Sequence, residues 1–262
     1  GFNPEPNPSN PEPSPEVEVT DVLLNKSVLS LQKGKNYTLK ATVKPVEAKD
    51  IDIRWKSSKA SVVAVDNNGK LTAKAAGTAT ITATAPNGVK ATCKVTVKIP
   101  SKKVLTSTSE WVKVGSNKTL YATVTPFDTT DKITWTSSNK KIVTVNKKGK
   151  IKGIKPGKAK VTVTTTSGKK AVCKVTVVKK AKASKSIKLS KKTLKLNKGK
   201  TYILKSKMSP LSSTDSKKWS SSNNKVAKVD QNGVVTALKK GTAKITVKTT
   251  KGKKATCKVT VK

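Results

Sequence analysis

The chain has 262 residues, and its 56 lysines and arginines against 14 acidic residues give a formal net charge of +42 at pH 7. It contains no histidine, which excludes nucleophile activation by a Ser-His or Cys-His pair and removes the usual imidazole metal ligand. Arg54 is the single arginine and aromatic residues make up 3% of the chain, whereas proteins that read nucleic-acid bases normally use both.

The N-terminal segment, residues 1–18, is rich in proline and glutamate. It holds six of the twelve prolines and four glutamates, and it contains no basic residue. This composition predicts an extended, semi-rigid linker. It lacks the basic start and apolar centre of a signal peptide. We expect the chain to be part of a longer protein, so the missing signal says nothing about secretion.

Three tryptophans mark an internal repeat, because Trp55, Trp135 and Trp219 each begin a W-x-S-S motif. A glycine follows each tryptophan by 14 residues, and a cysteine follows it by 38. The period of roughly 80 residues is long enough for a small domain rather than one turn of a solenoid. Short joints between the repeats favour a rod. The predicted domains are repeat 1 (19–98), repeat 2 (101–178) and repeat 3 (186–262).

Each repeat reads as a series of short β-strands. In GTATITATA, small or apolar residues (Ala79, Ile81, Ala83) alternate with threonine, which is typical of a strand with one solvated face. IDIRW places Ile53 and Trp55 on one side of another strand. No segment has a sustained helical period. Six to eight strands in 80 residues predict an all-β fold, with three tandem immunoglobulin-like β-sandwiches in an elongated array.

Six short motifs follow one another in the same order in each repeat, with a few substitutions: L-x-x-G, V-x-P, W-x-S-S, V-x-V-D-x-x-G, G-T-A-x-I-T and A-T-C-K-V-T-V. This order resembles the bacterial immunoglobulin-like domain, group 2, over about residues 19–262. The resemblance implies tandem sandwiches on secreted or surface-anchored bacterial proteins. Relatives of this kind form stalks in adhesins of the intimin and invasin type, or accessory modules of secreted hydrolases. The family has no catalytic residues to transfer.

Two positions depart from this pattern. Glu110 in repeat 2 stands where the other repeats have Leu29 and Leu194, and Lys217 in repeat 3 stands where they have isoleucine.

The three cysteines, Cys93, Cys173 and Cys257, occupy one position of the repeated KATCKVTVK segment. They alternate in register with valines, so we expect them to be buried and to pack as small apolar residues. Each domain has one cysteine, which leaves no partner for a disulfide within a domain. The same alternation predicts that the tryptophans of W-x-S-S lie in the core.

No metal or cofactor site is predicted. The turn at Asp66 has oxygen-bearing side chains of the kind that bind calcium, but repeat 2 has Lys147 and Lys148 in the ligand positions.

Trp111 is the one tryptophan outside the repeated motif. Counting back from the following glycine, it aligns with Ser30 and Lys195, positions that we expect to face water. Such a tryptophan can stack on a sugar or anchor a partner. Two alternatives without a binding role remain: the strand register shifts by one residue so that Trp111 fills the space at Glu110, or Trp111 packs against repeat 1.

Lysines form a second candidate surface, on the last two strands of repeat 3. If those strands are neighbours, they form an open face of lysine and threonine that attracts anionic polymers. The alternative is a lysine-rich surface that serves solubility. The candidate ligand-binding lysines are Lys244, Lys248, Lys254, Lys258 and Lys262.

The sequence therefore predicts a non-catalytic, extracellular spacer, stalk or adhesion module of a bacterial surface or secreted protein. The alternative is an accessory module that binds a glycan or an anionic polymer for a secreted carbohydrate-active or cell-wall enzyme. The expected partners are anionic or neutral polysaccharides, the cell wall or a host surface glycoprotein. We expect no specific nucleic acid, no membrane insertion and no cofactor, and we expect a monomeric rod.

Overall fold

The computed structural model describes residues 18–48 and 51–262, so the predicted Pro/Glu-rich linker lies outside it except for residue 18. Within the described residues nearly every element is a strand; the one helical element is the 3₁₀ turn Val46–Ala48. Among these residues no helix has the length and apolar character to cross a membrane. The chain divides into two compact units, Gly1–Ile99 with repeat 1 and Pro100–Lys262 with repeats 2 and 3.

Each repeat has nine strands in its described residues. Those of repeat 1 are β1 (Asp21–Leu24), β2 (Val28–Gln32), β3 (Asn36–Thr38), β4 (Ala41–Lys44), β5 (Arg54–Ser57), β6 (Val63–Val65), β7 (Lys70–Ala73), β8 (Gly77–Thr84) and β9 (Lys90–Lys98). Those of repeat 2 are β10 (Lys103–Leu105), β11 (Ser109–Lys113), β12 (Asn117–Thr119), β13 (Thr123–Thr125), β14 (Ile133–Ser137), β15 (Val143–Val145), β16 (Lys150–Gly153), β17 (Gly157–Thr165) and β18 (Lys170–Val178). Those of repeat 3 are β19 (Ser186–Leu189), β20 (Thr193–Leu196), β21 (Thr201–Ile203), β22 (Ser206–Ser209), β23 (Lys217–Ser221), β24 (Ala227–Val229), β25 (Val234–Ala237), β26 (Gly241–Thr249) and β27 (Lys254–Val261).

The strands of each repeat form a four-stranded sheet, a three-stranded sheet and a two-stranded pair. In repeat 1 their orders are β2-β9-β8-β5, β3-β7-β6 and β1-β4, and the other two repeats reproduce this arrangement. The second strand runs parallel to the last strand, so that Leu29 pairs with Val95. Other pairings in the four-stranded sheet are antiparallel. The predicted fold class, three tandem immunoglobulin-like β-sandwiches, is confirmed.

Strict alternation along β8 and β9 builds the core of repeat 1. Ile81 and Cys93 pair across the two strands, and both side chains are fully buried. The neighbouring threonines and lysines point to the other side, and Lys94 is exposed. Because apolar groups leave water together, this one-sided pattern holds the four-stranded sheet against the second layer.

The repeated spacing of tryptophan and glycine has a structural cause. Gly69 has φ of +74°, a backbone conformation that L side chains rarely adopt. A Cβ atom on Gly69 would lie 2.5 Å from the carbonyl oxygen of Leu39 and 2.8 Å from the Trp55 ring. Gly149 and Gly233 meet the tryptophans of their own repeats in the same way. The tryptophan therefore packs beneath a turn that only glycine can make.

Candidate functional site

The three cysteine thiols are free and fully buried. Burial raises the pKa of each thiol, and for Cys173 burial and then the negative charge of Glu110 raise the pKa to about 12. A reactive cysteine needs a stabilised thiolate, and these sites disfavour one. The cysteines are therefore packing residues, as their register predicts.

The two departures from the repeat pattern, Glu110 and Lys217, lie close together. Glu110 is 8% exposed, and its carboxylate accepts a hydrogen bond from the Nζ of Lys118 at 3.1 Å. Lys118 is 6% exposed, so this is a buried ion pair within repeat 2. The Nζ of Lys217, in repeat 3, lies 4.0 Å from the other carboxylate oxygen of Glu110. Two substitutions in different repeats thus belong to one contact.

Repeat 3 covers this ion pair. The Nζ of Lys118 also donates a hydrogen bond to the backbone carbonyl of Asp215 at 2.9 Å. Buried charges are costly unless hydrogen bonds satisfy their remaining donors and acceptors. The backbone of Asp215 supplies one such acceptor, so the charged side chain of one repeat depends on the position of the next.

A turn of repeat 3 makes a second group of contacts to repeat 2. The side-chain amide of Asn232 donates to the carbonyl oxygen of Tyr121 at 3.1 Å and to the hydroxyl of Thr123 at 2.8 Å. That hydroxyl in turn donates to a carboxylate oxygen of Asp230. The other carboxylate oxygen of Asp230 accepts two backbone N–H groups of its own turn, at 2.9 Å each.

These contacts together form what we call the repeat 2–3 joint. It comprises Glu110, Lys118, Tyr121 and Thr123 of repeat 2 and Asp215, Lys217, Asp230 and Asn232 of repeat 3.

The equivalent turns of repeats 1 and 2, at Asp66 and Asn146, have the same internal hydrogen bonds as the turn at Asp230. Asp66 accepts the backbone N–H groups of Asn68 and Lys70 at 2.9 Å each, and Asn146 does the same in repeat 2. Hydrogen bonding within the turn therefore accounts for the Asp or Asn at this position.

Trp111 has the strand register that its alignment predicts, but it is partly buried, whereas Ser30 and Lys195 are exposed. In β11 it pairs with Thr176, as Ser30 pairs with Thr96 and Lys195 with Thr260 in the other repeats. The alternative of a one-residue slip is therefore wrong, because Glu110 keeps the inward position. Trp111 is partly buried and lines a cleft between repeats 2 and 3.

The strands that carry the candidate lysines are neighbours. Lys244 pairs directly with Lys258, and Lys248 pairs directly with Lys254. Lys218, which the sequence reading did not single out, pairs with Lys248 from the other side. The result is a row of three lysines across β23, β26 and β27. Lys262 follows β27 and is exposed.

We call the outward side of this sheet the lysine face. Its exposed lysines within strands are Lys195, Lys218, Lys244, Lys248, Lys254 and Lys258.

A partly buried polar network occurs near the start of repeat 2, where Ser101 is buried and Asp131 is partly buried. Ser101, Thr166 and Ser167 donate hydrogen bonds to the carboxylate of Asp131. Burial alone would raise the pKa of Asp131, but the hydrogen bonds from Ser101, Ser167 and Thr166 together outweigh it and hold the pKa well below its usual range. Repeat 3 has the same arrangement, in which Ser184 donates to Asp215.

Several residues of the joint were missed by the sequence reading. Lys118 follows Glu110 by eight residues, as Tyr37 follows Leu29 and Tyr202 follows Leu194. The paired change of leucine and tyrosine to glutamate and lysine was the available signal. No comparable signal marked Asn232, whose role depends on a contact with another repeat.

The family model of the bacterial Ig-like domain (group 2) matches the chain three times, at residues 18–96, 101–175 and 183–259. The chain belongs to this family. The bacterial Ig-like domains thus account for most of the chain, and the joint described above lies between the second and the third of them.

Segments of other bacterial and phage proteins are similar in sequence to this chain. An uncharacterized protein of Clostridium acetobutylicum is 36% identical over 167 residues, which are 62% of this chain and 17% of that protein. The lacto-N-biosidase of Bifidobacterium bifidum is 39% identical over 124 residues, 42% of this chain and 11% of the enzyme. An Ig-like virion protein of Serratia phage KSP90 is 31% identical over 170 residues, 62% of this chain and 66% of that protein. The chain spans less than a quarter of the first two relatives.

Among solved structures, domains 4–9 of the surface layer protein SbsC are similar over 94% of this chain and 48% of that one, with 20% identity and a TM-score of 0.33.

Proposed function

We propose that the chain is a non-catalytic extracellular module that spaces or presents other parts of a bacterial surface or secreted protein. The Ig-like fold is typical of such modules, and the matched relatives carry it as a fraction of a longer protein. Extracellular location and the monomeric state are parts of the same proposal.

The repeat 2–3 joint is the observation that supports a spacing role most directly. A spacer holds a distance only if its joints resist bending. The joint combines the buried pair of Glu110 and Lys118 with directional hydrogen bonds from Asn232. Hydrogen bonds weaken steeply with distance and angle, so these contacts select one relative orientation of the two domains. Repeats 2 and 3 therefore act as one stiff unit.

Pulsed electron–electron double resonance, which measures the distance between two spin labels, tests this stiffness on the whole chain. Cysteines introduced at the exposed positions Lys140 and Lys240 would carry the spin labels, since the natural thiols are buried. We expect a single narrow distance distribution. The double variant Thr123→Val with Asn232→Ala should broaden it, because it removes the hydrogen bonds of the second contact group.

Asn68→Ala is the matched control, since Asn68 occupies the equivalent turn of repeat 1 and is outside the joint. A broad distribution in the unsubstituted chain, or one that the double variant leaves unchanged, would contradict the stiff spacer. Hydrolysis of glycosides by the purified chain would contradict the non-catalytic assignment.

The lysine face supports a second function, attachment to an anionic polymer. Like charges directly opposite each other in a sheet are destabilising, yet this face has the opposed pairs Lys244–Lys258 and Lys248–Lys254. Neighbouring strands are about 4.8 Å apart, so the row of Lys218, Lys248 and Lys254 spans only about 10 Å. A polyanion would relieve this repulsion and release its own counterions.

Heparin chromatography with a salt gradient tests this second function. We expect retention above about 0.15 M salt, where screening already limits charge attraction to roughly 8 Å. The variant Lys244→Thr with Lys248→Thr should elute earlier than the charge-matched control Lys140→Thr with Lys141→Thr, which alters an exposed loop of repeat 2. Equal elution of the two variants would show that net charge alone, and not this face, causes retention.

A further inference from the structure

A cleft of about 510 Å³ lies between repeats 2 and 3. Its walls come from the segment 105–111 of repeat 2 and from several strands and loops of repeat 3. The volume falls within the range of roughly 300–1,000 Å³ that is usual for sites of small ligands. The joint holds the two walls together, because Glu110, Lys217 and Asn232 are members of both the joint and the cleft.

The cleft combines apolar side chains from both repeats. Trp111 provides the aromatic surface on one wall, and its equivalents Ser30 and Lys195 cannot. On the other wall, Ile203 is 41% exposed and Leu211 is 66% exposed. Exposed apolar groups that meet in one concave place are typical of a binding surface, whereas single ones are common anywhere.

The charge of the cleft is positive. Lys205, Lys207 and Lys217 line it, and its one acidic residue is Glu110. The carboxylate of Glu110 lies between Lys118 and Lys217, so Lys205 and Lys207 are the cleft lysines whose charge it does not offset. These lysines favour a ligand that carries negative charge.

Neutral hydrogen-bonding groups complete the lining, among them Ser109, Ser206 and Gln231. An apolar aromatic surface, hydroxyl and amide groups, and ammonium groups within one cleft match a ligand with three properties. Such a ligand has a C–H face that stacks on an aromatic ring, hydroxyl groups that form hydrogen bonds, and a carboxylate. We propose that the cleft between repeats 2 and 3 binds an acidic oligosaccharide, with a sugar ring stacked on Trp111 and its carboxylate groups paired with Lys205 and Lys207.

This site is separate from the lysine face, and it goes beyond the spacer role. The proposed site depends on the contact between repeats 2 and 3, and it does not depend on which other domains the chain holds apart. A spacer without a ligand and a spacer with one are therefore distinguishable outcomes.

Isothermal titration of the whole chain with a short oligogalacturonate tests the proposal. We expect saturable binding, with a neutral galacto-oligosaccharide of the same length binding at least about tenfold more weakly. Trp111→Ala should weaken oligogalacturonate binding by about tenfold or more, and Trp111→Phe should keep part of the affinity. Because Trp111 occupies an outward strand position, its replacement should leave the thermal unfolding temperature nearly unchanged, which circular dichroism checks.

Two controls separate the cleft from other sources of binding. Ser30→Ala, at the position equivalent to Trp111 in repeat 1, should leave the affinity unchanged. The exposed-loop variant Lys140→Thr with Lys141→Thr, which removes two charges outside the cleft and the lysine face, should also leave it nearly unchanged. Absence of oligogalacturonate binding, binding that survives Trp111→Ala, or an equal loss in the exposed-loop variant would each overturn the proposal.

Discussion

Repeat 2 differs from repeats 1 and 3 in one pair of positions that otherwise belongs to the apolar core. Leu29 and Tyr37 pack against the core of repeat 1, and Leu194 and Tyr202 do so in repeat 3. Repeat 2 has a buried ion pair there instead, and the backbone of repeat 3 accepts a hydrogen bond from its lysine. The same strand positions thus tolerate either an apolar pair or a charged pair, provided that a neighbouring domain covers the charge.

The comparison shows how a repeated domain acquires a specific neighbour without a change of fold. A buried ion pair is weak evidence for added stability, because desolvation offsets most of the attraction. It is stronger evidence for a selected orientation, since the lysine keeps all of its partners only when Asp215 lies in place.

Removing one member of the pair should have the largest effect. In Lys118→Ala, Glu110 keeps a buried charge without its nearest partner, and we expect repeat 2 to lose about 3–5 kcal/mol of unfolding free energy. Hydrogen exchange of the whole chain, measured by mass spectrometry on peptides of repeat 2, checks this. Lys113→Ala, at an exposed position in β11, should change little. A loss below about 1 kcal/mol in Lys118→Ala would mean that the pair is solvated in solution.

Replacing both members should separate stability from orientation. The double variant Glu110→Leu with Lys118→Tyr installs the residues of the other repeats, and we expect repeat 2 to be equally stable or more stable, by up to about 4 kcal/mol. The same variant lacks the hydrogen bond to Asp215, so the distance distribution between repeats 2 and 3 should broaden. Hydrogen exchange measures the stability of repeat 2, and pulsed electron–electron double resonance measures the distance distribution between repeats 2 and 3. A stable variant with an unchanged narrow distribution would assign the orientation to the contacts of Asn232 and Asp230 with repeat 2.

Acid should weaken repeat 2 through Asp131. Because hydrogen bonds lower the folded-state pKa of this group, its contribution is fully present above the unfolded value of about 3.9 and is lost as the pH falls towards the folded value. We therefore expect the urea concentration at the unfolding midpoint of repeat 2 to decrease when the pH is lowered below about 4. Asp131→Asn should be less stable near neutral pH and less sensitive to acid. Equal pH profiles for the two proteins would show that the network does not hold the carboxylate in its charged form.

The smallest expected effect is a difference in alkylation rate among the three cysteines of the folded chain. Burial keeps all three unreactive, so alkylation by iodoacetamide at pH 8 should be slow in the folded chain and complete in guanidinium chloride. Glu110 adds to the raised pKa of Cys173, so Cys173 should react most slowly. In Glu110→Leu with Lys118→Tyr, its rate should approach that of Cys257. Fast labelling of any folded-state cysteine would contradict the packing role.

The predictable part of the fold follows from local patterns. Alternation in GTATITATA and KATCKVTVK assigned the inward positions of Ile81 and Cys93, and the spacing of tryptophan and glycine marked the repeats. The position of Trp111 on the outward side was also predictable, because the alignment with Lys195 needs only the repeat itself. Such inferences succeed because the strand period is a property of a few neighbouring residues.

The sequence by itself determined the family, the three sandwiches and the inward or outward direction of most side chains, since each depends on short-range pattern and repetition. It also showed that Glu110 and Lys217 are exceptions. Only the tertiary structure decided that they meet, because they belong to different repeats. Lys118 and its acceptor Asp215, which meet at the same joint, are 97 residues apart. Contacts between domains depend on how two finished surfaces fit, and no local period encodes that fit.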